Sequence, residues 1–186
     1  MKKTILITLI LSISVATFTA EIKRILIVHS YHQGFYWTDE QNRGIIEALS
    51  KAEENTIVET NIFYLENRRY PDTGNILLEN HIELIGNDLP DLIITTDNYA
   101  FDLLANSQWR LSNRMPMVFC GVNNFSISMI NNLPLITGVA ENFHNGRIET
   151  INAAIQLYPR TKNLVFIMDT SSTCQAIQIE IELIKT

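Results

Sequence analysis

The feature that most constrains the fold is an alternation repeated along the chain. Short apolar runs rich in β-branched residues alternate with segments of helical spacing. Arg24 to Ser30 (RILIVHS), Thr56 to Leu65, Asp91 to Thr96 (DLIITT), Pro116 to Cys120 (PMVFC), Leu135 to Ala140 and Leu164 to Asp169 (LVFIMD) read as six strands. Runs that are apolar throughout suit strands covered on both faces, as in a parallel sheet. Between the first two, Ile45, Ile46, Ala48, Leu49 and Ala52 form a helical stripe within Thr38 to Glu54, with Thr38 and Asp39 as N-cap candidates. Pro71 opens a second helix carrying Ile76, Leu77, Ile82, Leu84 and Ile85. A third, capped by Thr96 or Asp97, runs to about Ser107; others span Phe143 to Leu157 and start at Thr173. Gly121 to Leu133 reads as a loop with room for one helical turn. Strand–helix alternation of this kind predicts an α/β fold with a Rossmann-like parallel sheet flanked by helices.

The first residues read as an address. Met1-Lys2-Lys3 is a basic start, and Thr4 to Phe18 is almost wholly apolar or small. That is the charged and apolar pattern of a secretory signal peptide over residues 1–20, with cleavage after Ala16 or Ala20. An uncleaved signal anchor is the alternative; both place the remainder outside the cytoplasm, periplasmic or extracellular. The chain carries 14 basic and 20 acidic side chains, a net charge of −6. Nucleic-acid binding needs a basic stripe, which this balance does not offer. In an oxidising compartment Cys120 and Cys174 can pair or remain thiols, and their spacing fits no metal pattern.

In doubly wound sheets ligands bind beyond the carboxyl ends of the strands. The residues there are Ser30, Tyr31 and His32; Glu66 to Arg69; Thr96, Asp97 and Asn98; Cys120 to Asn124; Glu141 and Asn142; and Asp169 to Ser171. Tyr31, Phe35, Tyr36 and Trp37 crowd one loop, where aromatic faces can stack on a ligand or close over the sheet end. Ser30 and Thr38 offer hydroxyls to an anionic oxygen, or serve as caps. Asp97 suits an ammonium or a hydroxyl, or an N-cap, and Asn98 adjoins it. Asn123 both donates and accepts, and Gly121 permits close backbone approach. Arg68 and Arg69 can meet an anionic group. Glu141 and Asp169 face the cleft only where a second lobe forms its other wall. His29 and His32 form an H-x-x-H leaving a strand, without a third ligand, so no metal site is expected.

The run His29-Ser30-Tyr31-His32-Gln33-Gly34-Phe35-Tyr36-Trp37-Thr38-Asp39, followed by Asn42-Arg43-Gly44-Ile45, resembles the opening of extracytoplasmic domains related to ABC-transporter substrate-binding proteins. Similar domains form the sensory N-termini of some membrane-bound histidine kinases. The likeness continues in order through Tyr64, Arg68-Arg69-Tyr70, Pro90 to Asn98, Pro116 to Asn123, Ile136 to Val139 and Tyr158-Pro159 to Asp169-Thr170. It implies a type I periplasmic-binding fold, two lobes closing on a ligand. Residues 22–140 would be the first lobe, and 141–186 the crossover and an incomplete second lobe, with hinge crossings near Gly138 to Asn142. Two departures stand out: Cys174 lies where the family often has glycine, and most of the second lobe is missing from this sequence.

Three classes of function compete. A phosphorylated receiver shares the alternation and an Asp after the third strand, but needs acidic residues after the first to hold Mg²⁺; here that place is His29-Ser30-Tyr31-His32. A two-cysteine racemase needs an activated thiol with a partner base, and neither cysteine has a neighbouring His or acid in sequence. No phosphate-cradling glycine loop, nucleophile elbow or paired-carboxylate signature occurs. The expectation is therefore a solute-binding protein of an ABC-type transporter, without catalytic residues or a cofactor. Its partners are a small polar or amino-acid-like ligand and a membrane permease. The alternative is the ligand-sensing domain of a transmembrane sensor kinase. The expected ligand-binding residues are Ser30, Tyr31, Trp37, Thr38, Asp97, Asn98, Asn123, Glu141 and Asp169.

Overall fold

Five of the six apolar runs pair into one all-parallel sheet of order β2-β1-β3-β4-β5. The computed structural model describes residues 20–52, 55–141, 144–170, 174–175, 177–178 and 181–182. The elements are β1 (Glu21–His29), α1 (Tyr36–Leu49), β2 (Thr56–Tyr64), α2 (Gly74–Ile85), β3 (Leu92–Thr96), α3 (Asp97–Ala105), α4 (Gln108–Ser112), β4 (Met117–Asn123), β5 (Ile136–Glu141) and α5 (His144–Leu157). A single 3-10 turn, Ile127–Met129, lies between β4 and β5. The expected α/β, Rossmann-like architecture is what forms.

Side chains alternate across the strands, and each face finds its own cover. Leu26 and Val28 of β1, Ile93 of β3 and Met117 and Phe119 of β4 meet Leu78 of α2 and Ala100, Phe101 and Leu104 of α3. On the opposite face Ile25, Ile27 and Ile94 are packed by Ile45 and Leu49 of α1. Central strands β1 and β3 are thus covered on both sides, which explains their uninterrupted apolar runs. Order reverses between β1 and β3: one chain path leaves toward β2, the other toward β4. Such a switch point leaves a crevice at the carboxyl rim.

Several boundaries shift from the sequence expectation. Helix α1 begins at Tyr36, and its N-cap position is Phe35 without a side-chain hydrogen bond. Thr38 is thus inside the helix and fully buried, not a cap. Asp39 reaches back instead, Oδ1 accepting the Gly34 N–H at 3.0 Å. Pro71 lies in the turn before α2, which starts at Gly74. β4 runs on to Asn123, with a register shift between Cys120 and Val122.

The expected sixth strand is corrected outright. Leu164 to Asp169 has no regular structure and pairs with no strand among the described residues. Val165 is 85% exposed and Ile167 96%. A β-branched run supplies propensity, but a strand needs a neighbouring ladder to satisfy its backbone. Cys174, Gln175, Ile177, Gln178, Ile181 and Glu182 are helical, in line with the expected last helix. The signal-like residues 1–19 and the expected crossover residue Asn142 lie outside the described residues. No helix among the described residues is long and apolar enough to cross a membrane.

Candidate functional site

The ends of strands β1 to β5, the start of α1 and the segment ending at Asp169 bring the expected residues together, where they divide into three groups. The backbone there is unusual: Glu66 after β2, Asp97 after β3, and Gly121 and Asn124 around the end of β4 all have left-handed φ, between 52° and 71°. Such positions are uncommon outside glycine and concentrate in functional loops.

The first group ties the rim together. Ser30 is fully buried; its hydroxyl donates to the Thr96 carbonyl at 2.6 Å and accepts the Ala100 N–H at 2.8 Å. It therefore caps α3 from the next strand, with its hydrogen-bonding capacity turned inward. Asn98 does similar work: its amide donates to the Asn123 carbonyl at 3.0 Å and accepts the Asn123 N–H at 2.9 Å. Asn123 is buried, and its own amide reaches the Gly121 carbonyl at 3.5 Å. His29 is buried between Thr96 Oγ1 at 2.9 Å and Asn42 Oδ1 at 3.1 Å, stacked on Tyr64. Burial holds its pKa below the usual histidine value, against the Asn42 bond and the Asp39 charge. Thr38 Oγ1 is buried with no hydrogen-bond partner among the described residues.

The second group is centred on Asp97, 3% exposed. Trp37 Nε1 donates to its Oδ1 at 3.0 Å. The Gln41 amide, oriented so that its nitrogen donates, reaches Oδ2 at 3.1 Å. Trp37 and Gln41 are one helical turn apart on α1, so a single face presents both. Burial pushes the Asp97 pKa up to about 7; the Trp37 bond opposes this, the Glu141 charge adds to it, and the bonds from Gln41 and Thr96 oppose it. Cys120 neighbours the group, and burial followed by the Asp97 and Glu141 charges pushes its thiol up to about 11. A nucleophilic thiol needs the opposite shift. The structure joins Cys120 and Cys174 by no disulfide.

The third group encloses a cleft of about 290 Å³, lined by Asn67, Arg68, Pro71, Tyr99, Asp169, Thr170 and Gln175. The turn after β2 is fixed by the Asn67 N–H donating to the Ser30 carbonyl at 2.9 Å. Arg68 leaves that turn with its guanidinium 4.7 Å from the Phe35 ring centre and 5.7 Å from that of Tyr31. Those two rings meet edge to face at 5.4 Å. Tyr31 is thus buried beneath the arginine. Asp169 forms an ion pair with Arg68 across the cleft. The Tyr99 hydroxyl donates to the Pro71 carbonyl at 3.2 Å. Gly74 at the start of α2 makes room for that ring, since an added Cβ would collide with it. Gln175 Nε2 donates to the Thr170 carbonyl at 3.1 Å.

Of the nine expected residues, Trp37, Asp97 and Glu141 come together, Asn98 clasps Asn123, and Tyr31 and Asp169 meet through Arg68. Ser30 and Thr38 point into the packed interior. Sequence reasoning placed Asn67 at a strand end without giving it a role, and passed over Tyr99, Gln175 and Gln41. The Trp37–Gln41 spacing was a usable signal for the last; the others are joined to the cleft only by the folded path. Among the described residues no three His, Cys, Asp or Glu side chains group as a metal site. No family model, curated protein or solved structure matches the chain.

Proposed function

We propose that the chain is an exported solute-recognition lobe of an ABC-type transporter. It captures a small polar or amino-acid-like molecule at the carboxyl rim of the sheet and hands the loaded form to a membrane permease. The observation that carries this reading is the cleft of about 290 Å³ between the β2–α2 turn and the residues Asp169, Thr170 and Gln175. It lies at the rim where a doubly wound sheet offers its crevice. Its size is near the lower end of small-molecule sites, and it combines a few convergent polar groups with aromatic and proline surface. The sequence resemblance to substrate-binding domains supports the same use.

Thermal unfolding of the full chain with amino acids, sugars or small carboxylates tests it. A ligand at ten times its Kd adds about 1.4 kcal/mol. That raises Tm by about 3–6 °C in a chain of this size. The ligand should be recovered chemically unchanged. Absence of any shift across the panel, or turnover of a bound compound, would overturn the proposal.

A further inference from the structure

We infer that the molecule taken by this cleft is a free α-amino acid, bound by opening the Arg68–Asp169 ion pair. The ligand carboxylate takes the Arg68 guanidinium and the ligand ammonium takes Asp169. This rests on the cleft being a solute site and names the ligand class.

Opposite charges face each other here from two segments 101 residues apart in sequence. Both residues are exposed, and an ion pair of that exposure contributes little to stability. Opening it therefore costs the fold little. Arg68 is already oriented, because its flat guanidinium lies over Phe35 and near Tyr31. Held over the rings, the planar guanidinium can still meet a carboxylate with two parallel N–H bonds.

Charge bookkeeping selects the class. A ligand carrying only an anion would displace Asp169 from Arg68 and leave two negative groups side by side. A ligand carrying only a cation would strand Arg68 above its rings. A molecule with both charges on neighbouring atoms replaces each half of the pair and leaves no charge without a partner. An α-amino acid has that spacing. Pro71 and Tyr99 then offer apolar surface to its side chain, while Asn67 and Gln175 supply amides.

The test is calorimetric titration of the full chain with the common L-amino acids, followed by the N-acetyl and α-amide derivatives of whichever binds. The free amino acid should bind, and each blocked derivative should bind about tenfold more weakly or worse, the loss of one charge-assisted contact. Asp169→Asn and Arg68→Lys should weaken the free amino acid by a similar factor. The derivative series uses the unaltered chain and so does not depend on a variant folding. An N-acetyl derivative binding as tightly as the free amino acid, or Asp169→Asn tightening the binding, would show an anion site and overturn the inference. A sugar that binds where every amino acid fails would overturn it too, while the solute-binding reading stands. Failure of every solute class would remove both.

Discussion

A carboxylate that is 3% exposed, and is reached by an indole N–H and a carboxamide, still takes up its proton near neutrality. These bonds and one from Thr96 do not compensate for loss of water, and the Glu141 charge adds to the penalty. Unfolded, the same group titrates near 3.8 and in the fold near 7. Between those values the folded chain holds a proton that the unfolded chain has released. Stability therefore falls as pH rises through that window and levels off above it, by up to about 4 kcal/mol for this group. Asp97→Asn should remove that term. Asparagine also tolerates the left-handed φ of 63° at this position. Urea midpoints should show the variant gaining on the parent between pH 4 and pH 7.5; a constant gap would refute the account. Arg110 is the contrasting case. It is 1% exposed and was not singled out from sequence, yet its guanidinium donates to the carbonyls of Leu104, Ala105, Met115 and Pro134. A buried cation with no acid nearby in sequence has no local signature, because its acceptors are backbone groups assembled by the fold.

Strand β4 carries the feature that shapes the rim. Its ladder with β5 slips between Cys120 and Val122, and Gly121 there has φ of 71°. Bulges re-aim side chains at the ends of strands. An added Cβ at Gly121 would sit 3.1 Å from Asp97 Oδ1 and 2.6 Å from the end of the Gln41 amide. Gly121→Ala should thus be strained in backbone and crowded against the Asp97 group at once. A loss of about 2–4 kcal/mol is expected, measured by urea unfolding at pH 7.5. A loss below about 0.5 kcal/mol would mean that the bulge is not held by that packing. Elements with strong patterns were legible: β1 and β3 from their apolar runs, α1 and α2 from their stripes. The start of α1 was not. Thr38 has the chemistry of a cap, but burial of its side chain carries it into the helix, and the chain begins coiling at Tyr36.

At the scale of the molecule, the all-parallel sheet places the loops after all five strands on one rim, with a crevice at the switch point between β1 and β3. The segment after α5 then returns to that rim through Asp169. Leu164 to Met168 pairs with no strand on the way among the described residues, and its apolar side chains are exposed. Replacing Val165 and Ile167 together by Thr should leave the unfolding free energy from urea melts within about 0.5 kcal/mol of the parent, as for other surface changes. Destabilisation by several times that amount would mean that the run is packed in solution. The expectation of a strand there failed for a physical reason. Periodicity and composition report what a segment could bury, and pairing depends on whether another strand lies alongside.

By itself the sequence determined the class of fold: alternating apolar runs and helical stripes leave few solutions other than a parallel sheet with helices on both faces. It also determined that the chemistry-bearing residues would collect at the strand ends, because the connection points of such a sheet all lie there. Only the tertiary structure decided which of them remain available. Ser30, Asn98 and Asn123 are drawn into hydrogen bonds that hold the rim, while Arg68 and Asp169, far apart along the chain, are left facing each other across a cleft. Local preference is written residue by residue, but partnership depends on distances that exist only once the chain has closed on itself.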